Sequence, residues 1–213
     1  MARAFAKIAF TPSVRKEQER LGSADAYAKW LSPEISGGEK LTEAEALFIA
    51  ERDGFYQASV SETGWPYVQF RGGPRGFTKV LDERTIAYAD FRGNRQYVSV
   101  GNLSKDDRIS LILMDYPNRR RLKVWGRAKL VNIEDDPELV AQLHDESYRA
   151  RPQRAVIITI EAFDWNCPQH IPQRMTIEEL EHHLAPLYEK IADLSAQNGK
   201  LQKSIEKYQN QSS

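Results

Sequence analysis

Residues 66–128 read PYVQFRGGPRGFTKVLDERTIAYADFRGNRQYVSVGNLSKDDRISLILMDYPNRRRLKVWGRA. The stretch consists of short runs of aromatic and β-branched residues cut by turn-forming ones, the texture of strands rather than helices. Strand runs fall at 67–70, 79–81, 85–89, 109–114 and 122–131. Asp82-Glu83-Arg84 has the length and composition of a hairpin connection, and Pro117-Asn118, followed by Arg119, Arg120 and Arg121, makes another turn. Only residues 96–103 interrupt the pattern with helical character. Strands joined by such short turns pair antiparallel.

The same texture extends on both sides. Upstream, residues 55–60 form a further strand run, joined to the next by a Glu62-Thr63-Gly64 hairpin connection. Before it, Thr42 opens a short helix with Glu45 three residues on, a capping-box spacing. Ala46, Leu47, Ile49 and Ala50 supply its apolar face, and Asp53-Gly54 ends it. Residues 13–30 are weakly helical and are broken by Ser32-Pro33 and Gly37-Gly38. Downstream, residues 137–148 read as a helix with Pro137 near its first position and Leu139, Val140 and Leu143 facing inward, and 155–162 is a last strand run.

The tail has a different period. Leu180, Leu184, Leu187, Ile191, Leu194, Leu201, Ile205 and Tyr208 are spaced alternately by three and four, with Asn198 in the one polar place. This is an a/d seam, and a polar Asn at an a position sets register and oligomer state in coiled coils. It fits either an amphipathic helix lying on its own barrel or a short coiled coil between two subunits. The expected organisation is an N-terminal helical extension over 1–40, a β domain over 41–175 and a C-terminal amphipathic helix over 176–213. The expected fold class is mainly β with helices.

Composition narrows the function classes. The 213 residues carry 30 basic and 30 acidic side chains, so nothing in the overall charge draws the chain to nucleic acid or to an anionic membrane. The apolar runs 109–114 and 155–160 are too short to span a bilayer. Cys167 is the single cysteine, and the first residues hold no uninterrupted apolar segment, which points to a cytoplasmic protein. There is no G-x-S-x-G, Walker loop or G-x-G-x-x-G fingerprint, and Gly72-Gly73-Pro74-Arg75-Gly76 lacks the spacing of a phosphate loop. Cys167 and His170 offer two metal ligands where a closed zinc site needs four, and the adjacent His182 and His183 diverge on a helix, so no metal is expected.

Seven pieces follow one another in order: Gly64-Trp65-Pro66, Tyr88-Ala89-Asp90, Asn94-Arg95-Gln96, Asn102-Leu103, Asp107-Arg108, Lys123-Val124-Trp125-Gly126-Arg127-Ala128 and Phe163-Asp164-Trp165-Asn166-Cys167-Pro168-Gln169-His170. In this order, over roughly residues 41–175, the chain resembles the pyridoxamine 5'-phosphate oxidase-like, FMN-binding split-barrel families, and most closely their flavin-nucleotide-binding branch. The resemblance implies a six-stranded antiparallel split β-barrel, FMN as cofactor, and a homodimer with flavin at the subunit interface. It implies that Asn94, Arg95 and Gln96 grip the flavin phosphate with help from Arg71. Gln69 and Phe70 would lie along the ring or ribityl chain, and Tyr88, Ala89 and Asp90 would line the next strand end. Arg121 would reach the flavin from the neighbouring strand, and Trp165 would stand against the flavin or pack in the core or dimer interface. A phosphate dianion is well met by guanidinium forks and by backbone N–H groups at a helix start, which is where Arg95 is expected.

Two departures bear on activity. Gln96 replaces the lysine usual in the oxidases proper, and their R-x-x-R-L-H-type ending has no counterpart here. The resemblance thus implies an oxidoreductase related to pyridoxamine 5'-phosphate oxidase with another substrate. A flavin carrier or sensor, or a haem- or deazaflavin-binding relative on the same barrel, stays open. His170 is the one plausible axial histidine for the haem reading.

Overall fold

Each strand run of the sequence forms a strand, extended at one or both ends: β1 (Gly54–Val60), β2 (Pro66–Gly72), β3 (Lys79–Asp82), β4 (Thr85–Phe91), β5 (Arg108–Asp115), β6 (Arg120–Asn132) and β7 (Pro152–Trp165). The computed structural model describes residues 3–165 and 167–211, so Asn166 lies outside the described residues. The strands make one antiparallel sheet in the order β2-β1-β5-β6-β7-β4-β3. There are seven strands where the resemblance implied six, because the turn at 82–84 folds the four-residue β3 back onto β4 as an added edge. No ladder joins β2 to β3 among the described residues, so hydrogen bonds do not close the sheet into a barrel.

The sheet nevertheless curls strongly. β1 and β4 are second and sixth in the order, yet the Tyr88 hydroxyl donates a hydrogen bond to Gln57 Oε1. Arg71 Nη1 of β2 likewise reaches Asp90 Oδ1 of β4 at 2.7 Å. A bulge between Trp125 and Gly126 bends β6. A Cβ on Gly126 would stand 2.4 Å from the Thr159 carbonyl oxygen, so only glycine fits where the two strands approach there.

Strand alternation fills the inside of the curl with Phe55, Ile86, Tyr88, Ile109, Leu111, Leu113, Leu122, Val124, Val156, Ile158 and Ile160. The helix α4 (Glu43–Ala50) begins at the expected Thr42–Glu45 capping box and adds Phe48 and Ile49 to this core. Leu47 and Ala50, expected on its apolar face, are exposed. A smaller cluster on the other side of β4 and β7 packs Ala87, Ala89 and Ala155 against Val140 and Leu143 of α6 (Pro137–Leu143). Asp136 caps α6 by accepting from Leu139 N at 2.9 Å. That helix ends earlier than the expected 148 because Asp145 Oδ1 takes the Ser147 amide at 2.9 Å, turning the chain.

The first forty residues are helical as expected, with α1 (Arg3–Ala9), α2 (Pro12–Arg20), α3 (Ala24–Ala28) and a 3₁₀ turn at Lys29–Leu31. Phe5 of α1 stacks on Trp125 with ring centroids 4.5 Å apart. The chain forms two compact units, 1–171 and 172–213. Between β4 and β5 lies α5 (Val98–Lys105), and the second unit holds one long helix, α7 (Ile177–Gln211). Thr176 and Glu179 cap α7 reciprocally, and Leu187, Ile191, Leu194, Leu201 and Ile205 along it are exposed. No helix among the described residues is long and apolar enough to cross a membrane.

Candidate functional site

One end of the curled sheet opens into a cavity of about 150 Å³. Gln69 and Arg71 reach it from β2, Asp90 from β4, Gln153 from β7, and Asn94, Arg95 and Gln96 from the loop that precedes α5. These residues meet because alternation along β2 turns Tyr67, Gln69 and Arg71 to the inside, while the curl brings the end of β4 opposite them.

The loop differs from the expected helix start. Arg95 and Tyr97 have φ values of 64° and 53°, left-handed conformations that a right-handed helix does not admit, so α5 begins only at Val98. Asn94 holds the loop by accepting the Gln96 amide at 3.1 Å. Residues 94–96 therefore present a tight turn with an exposed arginine at the cavity mouth.

Beneath the mouth lies a buried ionic cluster. Asp90 pairs with Arg71 at 2.7 Å and stands 3.7 Å from Arg154 Nε. Arg154 is only 8% exposed, and its guanidinium lies 5.4 Å from the centre of the Tyr97 ring. Arg71 Nε, Arg154 Nε and Arg154 Nη1 are buried and have no hydrogen-bond acceptor. Two guanidiniums thus share one carboxylate, leaving surplus positive charge and unspent donors. Burial pushes the Asp90 carboxyl above its ordinary range, although Arg71 and Arg154 work against the shift. At the wall, Ser99 Oγ donates to Gln69 Oε1 at 2.9 Å and fixes that side chain. Hydrogen bonds from Gln153 and Arg95 favour the ionised form of Tyr97 and lower its phenol.

The structure brings six of the sequence-selected residues to this cavity: Gln69, Arg71, Asp90, Asn94, Arg95 and Gln96. It places five others elsewhere. Tyr88 is fully buried below the cavity, and burial pushes its phenol up. Ala89 faces α6. Phe70 is 58% exposed on the outer face of β2, its ring 5.5 Å from that of Tyr56. Arg121 lies opposite Met114 on the outer face of β6. Trp165 packs edge-on against Phe48 at 4.7 Å, and its indole N–H donates to Glu45. Cys167 is exposed, and His170 is an exposed residue with φ 64°. Arg154 and Gln153 were not singled out from the sequence. Arg154 shares the parity of Val156, Ile158 and Ile160, and a charge on a buried parity was the readable signal.

The outer face of β2, β1 and β5 carries Val68, Phe70, Tyr56 and Ile112 on neighbouring strands in register. Val68, Phe70 and Tyr56 are exposed there, a larger apolar grouping than scattered surface residues make.

Several solved structures are partly similar to this chain. A solved structure described as a candidate pyridoxamine 5'-phosphate oxidase of Lactobacillus delbrueckii is 22% identical, with a TM-score of 0.45 over 59% of this chain and 94% of that one. An FMN-binding protein of Syntrophomonas wolfei is 13% identical, with a TM-score of 0.46 over 73% of this chain and 95% of that one. An F420 reductase is 18% identical, with a TM-score of 0.39 over 55% and 93%. No curated protein matches the chain. The profile of the family described as pyridoxamine 5'-phosphate oxidase matches residues 41–166, more than half the chain, and the chain belongs to that family.

Proposed function

We propose that the chain is an FMN-binding protein of the split-barrel type, with the flavin phosphate entering the cavity between Arg71 and the Asn94–Gln96 turn. The observation that carries this reading is the buried Arg71–Asp90–Arg154 cluster, in which guanidinium donors outnumber acceptors and of which Arg71 and Asp90 line the open cavity. A phosphate dianion supplies the missing charge and acceptors, and Arg95 and the backbone of the turn are placed to close over it. Flavin would supply hydride and electron transfer, and the protein would orient it.

The volume of about 150 Å³ suits a phosphate and part of a ribityl chain, whereas sites that enclose a whole organic ligand run to roughly 300 Å³ and more. The isoalloxazine ring would therefore lie across the rim and need a second wall. The exposed apolar outer face of Tyr56, Val68 and Phe70 supports a second copy in that role, which would make the protein a homodimer with flavin at the interface. Phe70 and Arg121, which face away from their own cavity, would then meet the partner. His170 is exposed and does not line the cavity, which favours flavin over haem ligated by that residue.

Absorption of the purified protein tests the reading. Bands near about 370 and 450 nm, with FMN released on denaturation, are the expected result. A Soret band, or a colourless protein that takes up no added FMN, would overturn it. Oxidation of NADH or NADPH by the loaded protein in air separates an oxidoreductase from a carrier.

A further inference from the structure

Asp90 is bounded by two arginines from different strands, Arg71 on β2 and Arg154 on β7. Alone, Arg71 and Asp90 would form a neutral pair at 2.7 Å, and the cavity floor would offer an anion no net charge. Arg154 changes that balance. It stands across the β4–β7 ladder from Asp90, it is nine-tenths buried, and Tyr97 covers its planar face. Its Nε and Nη1 have no acceptor, and at 3.7 Å its contact with Asp90 is electrostatic rather than a hydrogen bond. A buried cation is costly unless its charge is answered, and Asp90 is the carboxylate that faces this one.

We infer that Arg154 makes the cavity selective for a phosphorylated ligand over its unphosphorylated counterpart, by answering Asp90 so that Arg71 keeps positive charge for the phosphate. The inference rests on the flavin-phosphate reading for the identity of the ligand, but not for its charge. Arg154 acts through Asp90 and Arg71, so it is a positioning residue. What it sets is the net charge of the floor, +1 with two arginines and one carboxylate.

The test compares FMN with riboflavin, which differ only in the phosphate, by titration into the wild-type protein and three variants. Arg154→Met is expected to weaken FMN by about 10- to 100-fold, the loss of charge-assisted binding, with riboflavin unchanged. Arg154→Lys keeps the charge and should retain most of the preference. Asp90→Asn combined with Arg154→Met restores a floor of +1 and should recover FMN binding. Equal losses for FMN and riboflavin in Arg154→Met, or no recovery in the double variant, would overturn the inference. Should Arg154→Met fail to fold, the double variant and Asp90→Asn alone still decide, since Asp90→Asn must widen the preference. Thermal stabilisation by inorganic phosphate separates the two readings. If the wild type binds neither flavin while phosphate stabilises it and not Arg154→Met, the flavin reading fails and this one stands. If the wild type prefers FMN and Arg154→Met does so equally, the reverse holds. If neither flavin nor phosphate binds the wild type, both fail.

Discussion

Trp165 Nε1 donates to Glu45 Oε1 at 2.6 Å, tying the end of the last strand to the helix that precedes the first. Glu45 also accepts from the Thr42 amide at 2.9 Å and from its hydroxyl, so one carboxylate caps α4 and anchors β7. The Arg120 guanidinium covers the Trp165 ring at 4.7 Å. Trp165→Phe keeps the ring against Phe48 and removes only the donor. It is expected to cost about 1–3 kcal/mol in urea unfolding, the penalty of leaving a buried acceptor short of a partner. A variant as stable as wild type but with FMN affinity cut tenfold would instead put Trp165 against the flavin.

The same carboxylate gives the protein a pH dependence of known sign. Burial acts to raise the Glu45 carboxyl, but hydrogen bonds from Thr42 and Trp165 outweigh it and hold the group below its ordinary 4.5. A depressed folded value means that the stabilisation is complete above 4.5 and is lost as pH falls through the folded value. Glu45→Gln should therefore flatten the acid limb of the stability curve below that point. Chemical unfolding measured from neutral pH downward checks it. An acid limb as steep as wild type would refute the assignment.

Arg95 stands at the cavity mouth with φ 64°, exposed and without an ion-pair partner among the described residues. Alanine would bear the same left-handed backbone, so Arg95→Ala should leave folding stability close to wild type. FMN binding should weaken by roughly 1.5–3 kcal/mol, a lost charge-assisted contact. Riboflavin binding should not change. Titration of both flavins checks this, and an unaltered FMN affinity would remove Arg95 from the site.

Local pattern made the strands, the α4 cap and the hairpin turns readable in advance, because each depends on residues close in sequence. What sequence periodicity does not express is how far a sheet curls. The meeting of Arg71 with Asp90, and of Gln57 with Tyr88, comes from β1 and β2 swinging opposite β4, a product of twist and of the bulge at Gly126. The same limit explains Phe70: it neighbours Gln69 and Arg71 in the chain, but alternation puts it on the other face. The left-handed Arg95 and Tyr97 stand just before and just inside a run that reads as helix, and neither is a residue type that marks a positive φ.

That other face yields its own prediction. Phe70→Asp places a charge amid Tyr56, Val68 and Ile112 without touching the cavity residues. If the face is where two copies meet, light scattering should show a shift to monomer, and FMN affinity should fall although Arg71 and Arg95 are intact. Circular dichroism matching wild type would show that the fold survives. An unchanged mass, with FMN still bound, would place the subunit contact elsewhere.

The seam of α7 poses a separate question. Its apolar residues hold the a/d spacing from Leu180 to Tyr208, and Asn198 at an a position is the residue that restricts such a seam to one register. If two copies pair through it, Leu194→Glu, which charges a central d position, should reduce the sedimentation coefficient. It should do so without altering riboflavin or FMN binding by the first unit. Removal of residues 176–213 should have the same effect. Asn198→Leu should do the opposite and raise thermal stability while broadening the range of oligomers, since the register device is gone. Were the helix instead to serve its own chain, truncation would lower stability at constant mass per particle. If neither mass nor stability moved on truncation, the coiled-coil reading of the seam would be gone.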